Sequence, residues 1–366
     1  MKVICSKDKL MESISIVQRA ISARPAVPIL DGILIEADEE LKLTGYNMEM
    51  GIECQMEADI PEKGSFVVFS RMFGDIIRKL PEDIVSIESK PAQSIQIDSG
   101  SSHFTIKCMR AEEFPKIPVV EKTETITLPQ KMLRDMIHQT IFAVSTDETR
   151  PTLNGCFFKS EGKNVEMVAI DGFRLALRKN ELENDVSQLQ FIIPGKVLQE
   201  VGRILEINDE PVDVSPSHNN ILFNTGKVKI VSRLIRGEYM NYHVIIPQTA
   251  ETTITISPGA LLDAIERASL LITSEDKRYP VRLTIPDEDT LVVSSATEVG
   301  SLREEIGISM NGSKIDIDFN PKYFIEALRV MDEDEITIIF NGNIGPCVLK
   351  PIDSDDFAYL VLPLRR

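Results

Sequence analysis

FVVFSRMFGDIIRKL, residues 66–80, is the stretch on which the fold turns. Phe66, Val67, Val68 and Phe69 make a short apolar run of β-branched and aromatic residues, as a strand requires. Phe73, Ile76, Ile77 and Leu80 then fall three to four residues apart, the spacing of one apolar helix face. The phrase returns twice, at intervals of about 125 residues. Residues 191–205 read FIIPGKVLQEVGRIL, with Leu198, Val201 and Leu205 on the helix face. Ile315-Asp316-Ile317-Asp318-Phe319 leads into a third helix carrying Phe324, Ala327 and Leu328. A period this long indicates a triplicated domain and not a solenoid.

Working outward, each copy opens with a short strand and an amphipathic helix. The apolar positions are Leu10, Ile14, Val17 and Ile21; then Leu133, Ile137, Ile141 and Val144; then Leu261, Ile265, Ala268 and Ile272. Pro129 and Pro258 stand at tolerated first-turn positions. Alternating strands follow: 33–36 and 41–43, 155–158 and 165–168, 281–285 and 291–293. Polar turns at 38–40, 161–164 and 286–289 separate them. Two strand–helix–strands units per copy, with the helices gathered on one face, predict an α+β fold of mostly antiparallel sheets. Periodicity lapses around Pro115–Pro118 and near Pro247, which puts the domain limits at 1–122, 123–250 and 251–366.

Charge bears on the partner. The chain carries 57 acidic against 40 basic side chains, a net −17, which as a whole repels nucleic acid. Five of the six helix windows are nevertheless net positive, and the cations recur by position. Arg71, Lys196 and Lys322 share one place on the second helix of each copy, Arg78, Arg203 and Arg329 another seven residues on, and Arg24, Arg150 and Arg278 follow the first helix. Positions seven apart lie on one helix face. Such a layer would follow a phosphate backbone without reading bases. Charged helix faces that are merely solvated remain the ordinary alternative.

Signals of catalysis are weak. The chain has no phosphate-binding glycine loop, no dinucleotide fingerprint, no zinc-helix motif and no nucleophile elbow. His103, His138, His218 and His243 are dispersed, and Trp is absent. Asp171-Gly172 beside Arg174 reads better as a turn with a local ion pair than as a catalytic group. Cys5, Cys54, Cys108, Cys156 and Cys347 form no C-x-x-C pair, so they read as reduced packing thiols and not a disulfide frame or metal site. No apolar run spans a membrane and the first residues lack a signal peptide, which points to the cytoplasm.

Five segments together carry a resemblance: Arg24–Leu30 (RPAVPIL), Glu113-Phe114-Pro115, Arg150–Gly155 (RPTLNG), Ala169–Ala176 (AIDGFRLA) and Tyr359–Arg365 (YLVLPLR). Over its whole length the chain resembles the β subunits of bacterial DNA polymerase III, the sliding clamps. The resemblance implies a head-to-tail homodimer whose six domains close a non-catalytic ring around double-stranded DNA, with helices lining the hole and no cofactor. It implies DNA-facing roles for Arg24, Arg71, Arg78, Arg150, Lys196 and Arg203, to which the recurring pattern adds Lys322 and Arg329. Pro151 and Thr152 replace two aromatics of the best-known members.

It further implies a cleft for short linear motifs of the polymerase III α subunit, other polymerases, the clamp loader and repair proteins. The matching positions are Leu153, Ile170, Gly172, Phe173, Arg174, Leu175, Met240, Val244, Ile245, Asn320, Tyr323, Ile344, Pro346, Leu360, Val361, Leu362, Pro363, Leu364 and Arg365. Phe173 stands where many members have His, and Leu360–Leu362 reads equally as a last core strand. A dimer interface is implied at Phe104, Ile106, Lys107, Leu271, Ile272, Glu298 and Glu304. An unrelated triplicated α+β scaffold or enzyme with a site between domains is the competing reading.

Overall fold

The computed structural model describes every residue except 26, 122, 123, 248, 273–279, 365 and 366. The first expected seam, at 122, therefore falls outside the described residues, as do Arg278 and Arg365. Among the described residues there are six α-helices: α1 (Lys7–Val17), α2 (Ser70–Lys79), α3 (Gln130–His138), α4 (Gly195–Ile204), α5 (Pro258–Ser269) and α6 (Pro321–Leu328). None is long and apolar enough to cross a membrane.

The chain forms two compact units, Met1–Lys131 with Arg203–Leu234, and Met132–Gly202 with Ile235–Arg366. The first holds a five-stranded antiparallel sheet ordered Asp59–Glu62, Lys2–Ser6, Ile84–Lys90, Ser94–Ser99, Ser102–Lys107. Its second sheet has eight strands, ordered Ile126–Pro129, Pro211–Pro216, Asn220–Asn224, Val228–Arg233, Met50–Met56, Leu41–Tyr46, Gly32–Ala37, Gly64–Phe69. The second unit holds a seven-stranded sheet ordered Gly155–Ile170, Arg174–Pro194, Phe357–Val361, Cys347–Pro351, Ile336–Phe340, Thr252–Ile256, Ser309–Gly312. Its four-stranded sheet is ordered Gly300–Gly307, Thr290–Thr297, Val281–Thr284, Asp316–Phe319.

The threefold repeat is kept in the registers. Gly32 opposes Phe69, Gly155 opposes Pro194 and Val281 opposes Phe319. Helices cover the sheets with the apolar faces expected of them. Phe73 and Ile77 of α2, Leu198 and Val201 of α4, and Phe324 and Ala327 of α6 are buried. Each large aliphatic or aromatic side chain so buried contributes about 1.5–3 kcal/mol. α5 starts at Ser257, whose hydroxyl accepts from the Ala260 amide, with Pro258 at its first position.

Two expectations are corrected. The first helix of each copy is about a turn shorter than its apolar pattern. Ile21, Val144 and Ile272 lie beyond it, and Ile141 sits in a separate 3-10 turn. At α3 the cause is Thr140: its amide turns to the Ile137 carbonyl, and its hydroxyl takes the Met136 carbonyl at 2.7 Å that the next helical amide would have used. The expected turn at 161–164 is instead part of the long strand Gly155–Ile170. Two register shifts around Gly162 absorb the polar residues as a bulge.

Cys5, Cys54, Cys156 and Cys347 are buried and Cys108 half-buried, in keeping with packing thiols. Burial pushes Cys5 up to about 11 and Cys156 up to about 12, so neither ionises near neutrality.

Candidate functional site

The strands Gly155–Ile170 and Arg174–Pro194 are joined by a tight turn that places three of the expected residues. Asp171 Oδ1 accepts from the amides of Phe173 at 2.8 Å and Arg174 at 3.0 Å, an Asx-type turn. Gly172 has φ +96°, and a Cβ there would stand 2.9 Å from the Arg150 guanidinium. A side chain at this position would therefore meet both backbone strain and a charged neighbour. Phe173 is thrown outward, 57% exposed, with its ring stacked on Tyr323 at 6.3 Å.

Arg174 is turned inward and only 7% exposed. Its Nε donates to Asp171 Oδ2 at 3.0 Å, which is the local ion pair expected from the sequence. Nη1 bonds Glu326 of α6 and Nη2 bonds the Phe142 carbonyl. The guanidinium lies 4.7 Å from the Tyr323 ring centroid and 5.4 Å from that of Phe142. Arg174, Tyr323 and Phe173 thus form a layered stack: cation, aromatic, exposed aromatic. Arg174→Ala should lower stability by about 3 kcal/mol, the lower end for breaking a buried pair, since Glu326 retains some solvent. Thermal unfolding with Arg174→Lys alongside measures this. A loss below about 1 kcal/mol for the alanine variant would mean that Arg174 does not hold the stack.

Leu153, Ile170, Leu175 and Leu360 join Val168, Leu177, Tyr239, Tyr242 and Val348 in one buried cluster, with Ile245 packed against it. Val361, also buried, pairs with Arg174 and Cys347. Leu360 and Val361 therefore belong to a core strand, and only the residues after them face solvent. The chain beyond is held by backbone bonds, Leu362 N to the Phe173 carbonyl at 2.9 Å and Leu364 N to the Asp318 carbonyl at 2.8 Å. Leu362 and Leu364 stay partly exposed, and Pro363 lies between them. Asn320 caps α6, its Oδ1 accepting from the Lys322 amide at 3.0 Å. Met240, Val244 and Ile344 stand exposed on connecting segments, and Pro346 is half-buried at the end of the second of these. Arg365 lies outside the described residues. The floor is apolar and buried, and the rim offers Phe173, Leu362 and Leu364, which suits an extended apolar peptide.

Every cation expected to face DNA is exposed: Arg24, Arg71, Arg78, Arg150, Lys196, Arg203, Lys322 and Arg329. Several are already engaged. Arg78 pairs with Asp75 at 3.0 Å, Arg150 with Asp147 at 3.0 Å, Lys322 with Glu326 at 3.8 Å and Arg329 with Glu266 at 2.7 Å. Exposed pairs of this kind are worth at most about 1 kcal/mol, so phosphate can compete for them.

The expected interface residues fall on two sheet edges. Phe104, Ile106 and Lys107 lie on Ser102–Lys107, and Glu304 on Gly300–Gly307. Glu298 is exposed just before the latter strand, and Leu271 and Ile272 are half-buried after α5. Glu304 is held within its own chain by Arg267, at 2.9 and 2.5 Å. Phe104 also lines a groove of about 660 Å³ with Asp31, Phe69, Arg71, Met72, Asp75, Ile76 and Lys79. Sequence reading missed the groove. Ile76, expected on the core face, is only half-buried and joins Phe69 and Met72 in a second apolar stripe beside that face.

Three family models match along the chain, for the DNA polymerase III beta subunit: the N-terminal domain over residues 1–118, the central domain over 127–241 and the C-terminal domain over 243–365. A beta sliding clamp of Halalkalibacterium halodurans is 36% identical over 379 residues, covering all of both chains. The DNA polymerase sliding clamp of Bacillus subtilis superposes with a TM-score of 0.96 at 35% identity, covering 100% of this chain and 99% of that one. A putative DNA polymerase III beta subunit of Eubacterium rectale gives 0.95 at 36% identity with the same coverage.

Proposed function

The chain belongs to the DNA polymerase III β subunit family, and on that premise we propose that it is a sliding clamp, two copies closing a ring around duplex DNA and tethering the replicative polymerase. Each copy supplies three clamp domains, 1–122, 123–250 and 251–366. The ring works by topology and holds DNA loosely through its cations, so it needs neither catalytic residue nor cofactor. Its place of action is the cytoplasm. The peptide face around Phe173 takes short motifs of the polymerase III α subunit, other polymerases, the clamp loader and repair proteins, one at a time.

The observation that carries this reading is the way the repeats join. At each internal joint the last strand of one repeat pairs with the outermost strand of the repeat before it. Ile230 opposes Ile52 at the first joint and Tyr359 opposes Ala176 at the second. The same construction leaves one donor edge and one acceptor edge over, Ser102–Lys107 and Gly300–Gly307, each at the end of its sheet. Unpaired edges of this length invite pairing with another chain. Because one edge lies in the first repeat and the other in the third, two copies joined head to tail satisfy both. Carrying the internal register across sets Phe104 of one copy opposite the partner's Leu302.

The test is retention on DNA after loading by a clamp loader with ATP. The protein should stay on closed-circular plasmid and be lost rapidly once the plasmid is cut. Equal loss from both forms would end the ring reading.

A further inference from the structure

We propose that Arg150 and Lys322 couple DNA to peptide binding, so that the clamp binds its partners more tightly when it surrounds DNA than when it is free. The proposal rests on the sliding-clamp reading and adds a regulation of the peptide face.

The two cations stand at the ends of one polar chain. Arg150 Nε donates to Asp147 at 3.0 Å and Nη2 to the Asp171 carbonyl at 3.3 Å. Asp171 holds the Phe173 and Arg174 amides and the Arg174 guanidinium. Arg174 reaches Glu326, whose other oxygen lies 3.8 Å from Lys322 Nζ. Between the ends sits the Arg174–Tyr323–Phe173 stack that forms the rim of the peptide face. Arg150 and Lys322 are 46% and 67% exposed, whereas Arg174 is 7% exposed. The ends are thus free to exchange partners and the middle is fixed.

Phosphate competes for both ends in the same sense. Drawn to DNA, the Arg150 guanidinium leaves the Gly172 backbone, against which it packs within 2.9 Å of a notional Cβ. That uncovers the turn beside Phe173 for an incoming peptide. Drawn to DNA, Lys322 leaves Glu326 to Arg174 alone and firms the cation under Tyr323. Coupling of this kind is reciprocal, so bound peptide also raises affinity for DNA. Its low end is about fivefold.

The experiment uses a short fluorescein-labelled peptide carrying the linear motif of the polymerase III α subunit, titrated by anisotropy against the free protein and against protein loaded on closed-circular plasmid, with retention measured in the same samples. Binding about fivefold tighter on the circle is expected. In Arg150→Gln and in Lys322→Gln the free protein should move toward the loaded value, and in the double variant the two affinities should coincide. Two variants guard against one that fails to fold. Equal affinity with and without DNA, on protein that the circle retains, would overturn the coupling and leave the clamp standing. Protein that circles do not retain would overturn both.

Discussion

Phe104→Glu is expected to elute near 41.0 kDa, the mass of one chain, where the unsubstituted protein elutes near twice that. The argument comes from the repeat. Phe104 opposes Ile97 in its own sheet, as Ile230 opposes Phe223 and Tyr359 opposes Leu349 in the later copies. Ile230 and Tyr359 are each 1% exposed, with a neighbouring repeat paired beside them, whereas Phe104 is 38% exposed and has no such cover among the described residues. A carboxylate placed there would have to be buried unpaired on closing the ring, a cost of several kcal/mol. A cysteine pair makes the register itself testable. Phe104→Cys with Leu302→Cys should give a covalently linked dimer on oxidation, since directly opposed residues bring their Cβ atoms to about 4.5–5.5 Å. A Phe104→Glu protein that remains dimeric would remove the edge strand from the interface.

What the sequence made legible follows from the range of each interaction. The strand–helix phrase at 66–80 could be read because its periodicity is local, and its two echoes fixed the triplication before any contact was known. Helix ends were less legible, since the end of α3 depends on the Thr140 hydroxyl capturing a carbonyl, which no periodicity records. Sheets that run from repeat to repeat were not legible at all. The pairing of Val228–Arg233 with Met50–Met56 joins segments more than 170 residues apart, and nothing in either strand's pattern names the other. At the proposed peptide face the resemblance supplied positions but not roles. It placed Arg174 without Glu326 and Phe142, the partners that hold it, and grouped core residues such as Leu153 and Leu360 with the exposed rim. Asn320, expected at the peptide cleft, also caps α6, a role that the resemblance did not supply.

Reversing Arg78, Arg203 and Arg329 together to Glu should cut the amount of protein loaded and retained on closed-circular DNA by about tenfold or more at physiological salt, while the dimer persists. Three reversals of two charges each take the chain from −17 to −23. Phosphate binding falls steeply with each cation removed, because each contact releases condensed counterions. The proposed dimer should persist, because none of the three residues lies on the edge strands Ser102–Lys107 or Gly300–Gly307. Structure sets a condition on the size of the effect. Arg78 and Arg329 already share their charge with Asp75 and Glu266, so part of the cost of each reversal falls on an exposed pair worth at most about 1 kcal/mol. Neutralising those carboxylates instead, with Asp75→Asn and Glu266→Gln, should therefore strengthen retention and steepen its dependence on salt. Charge reversal with wild-type retention would remove these helices from the DNA-facing surface. Carboxylate neutralisation without gain would show that the pairs do not compete with phosphate.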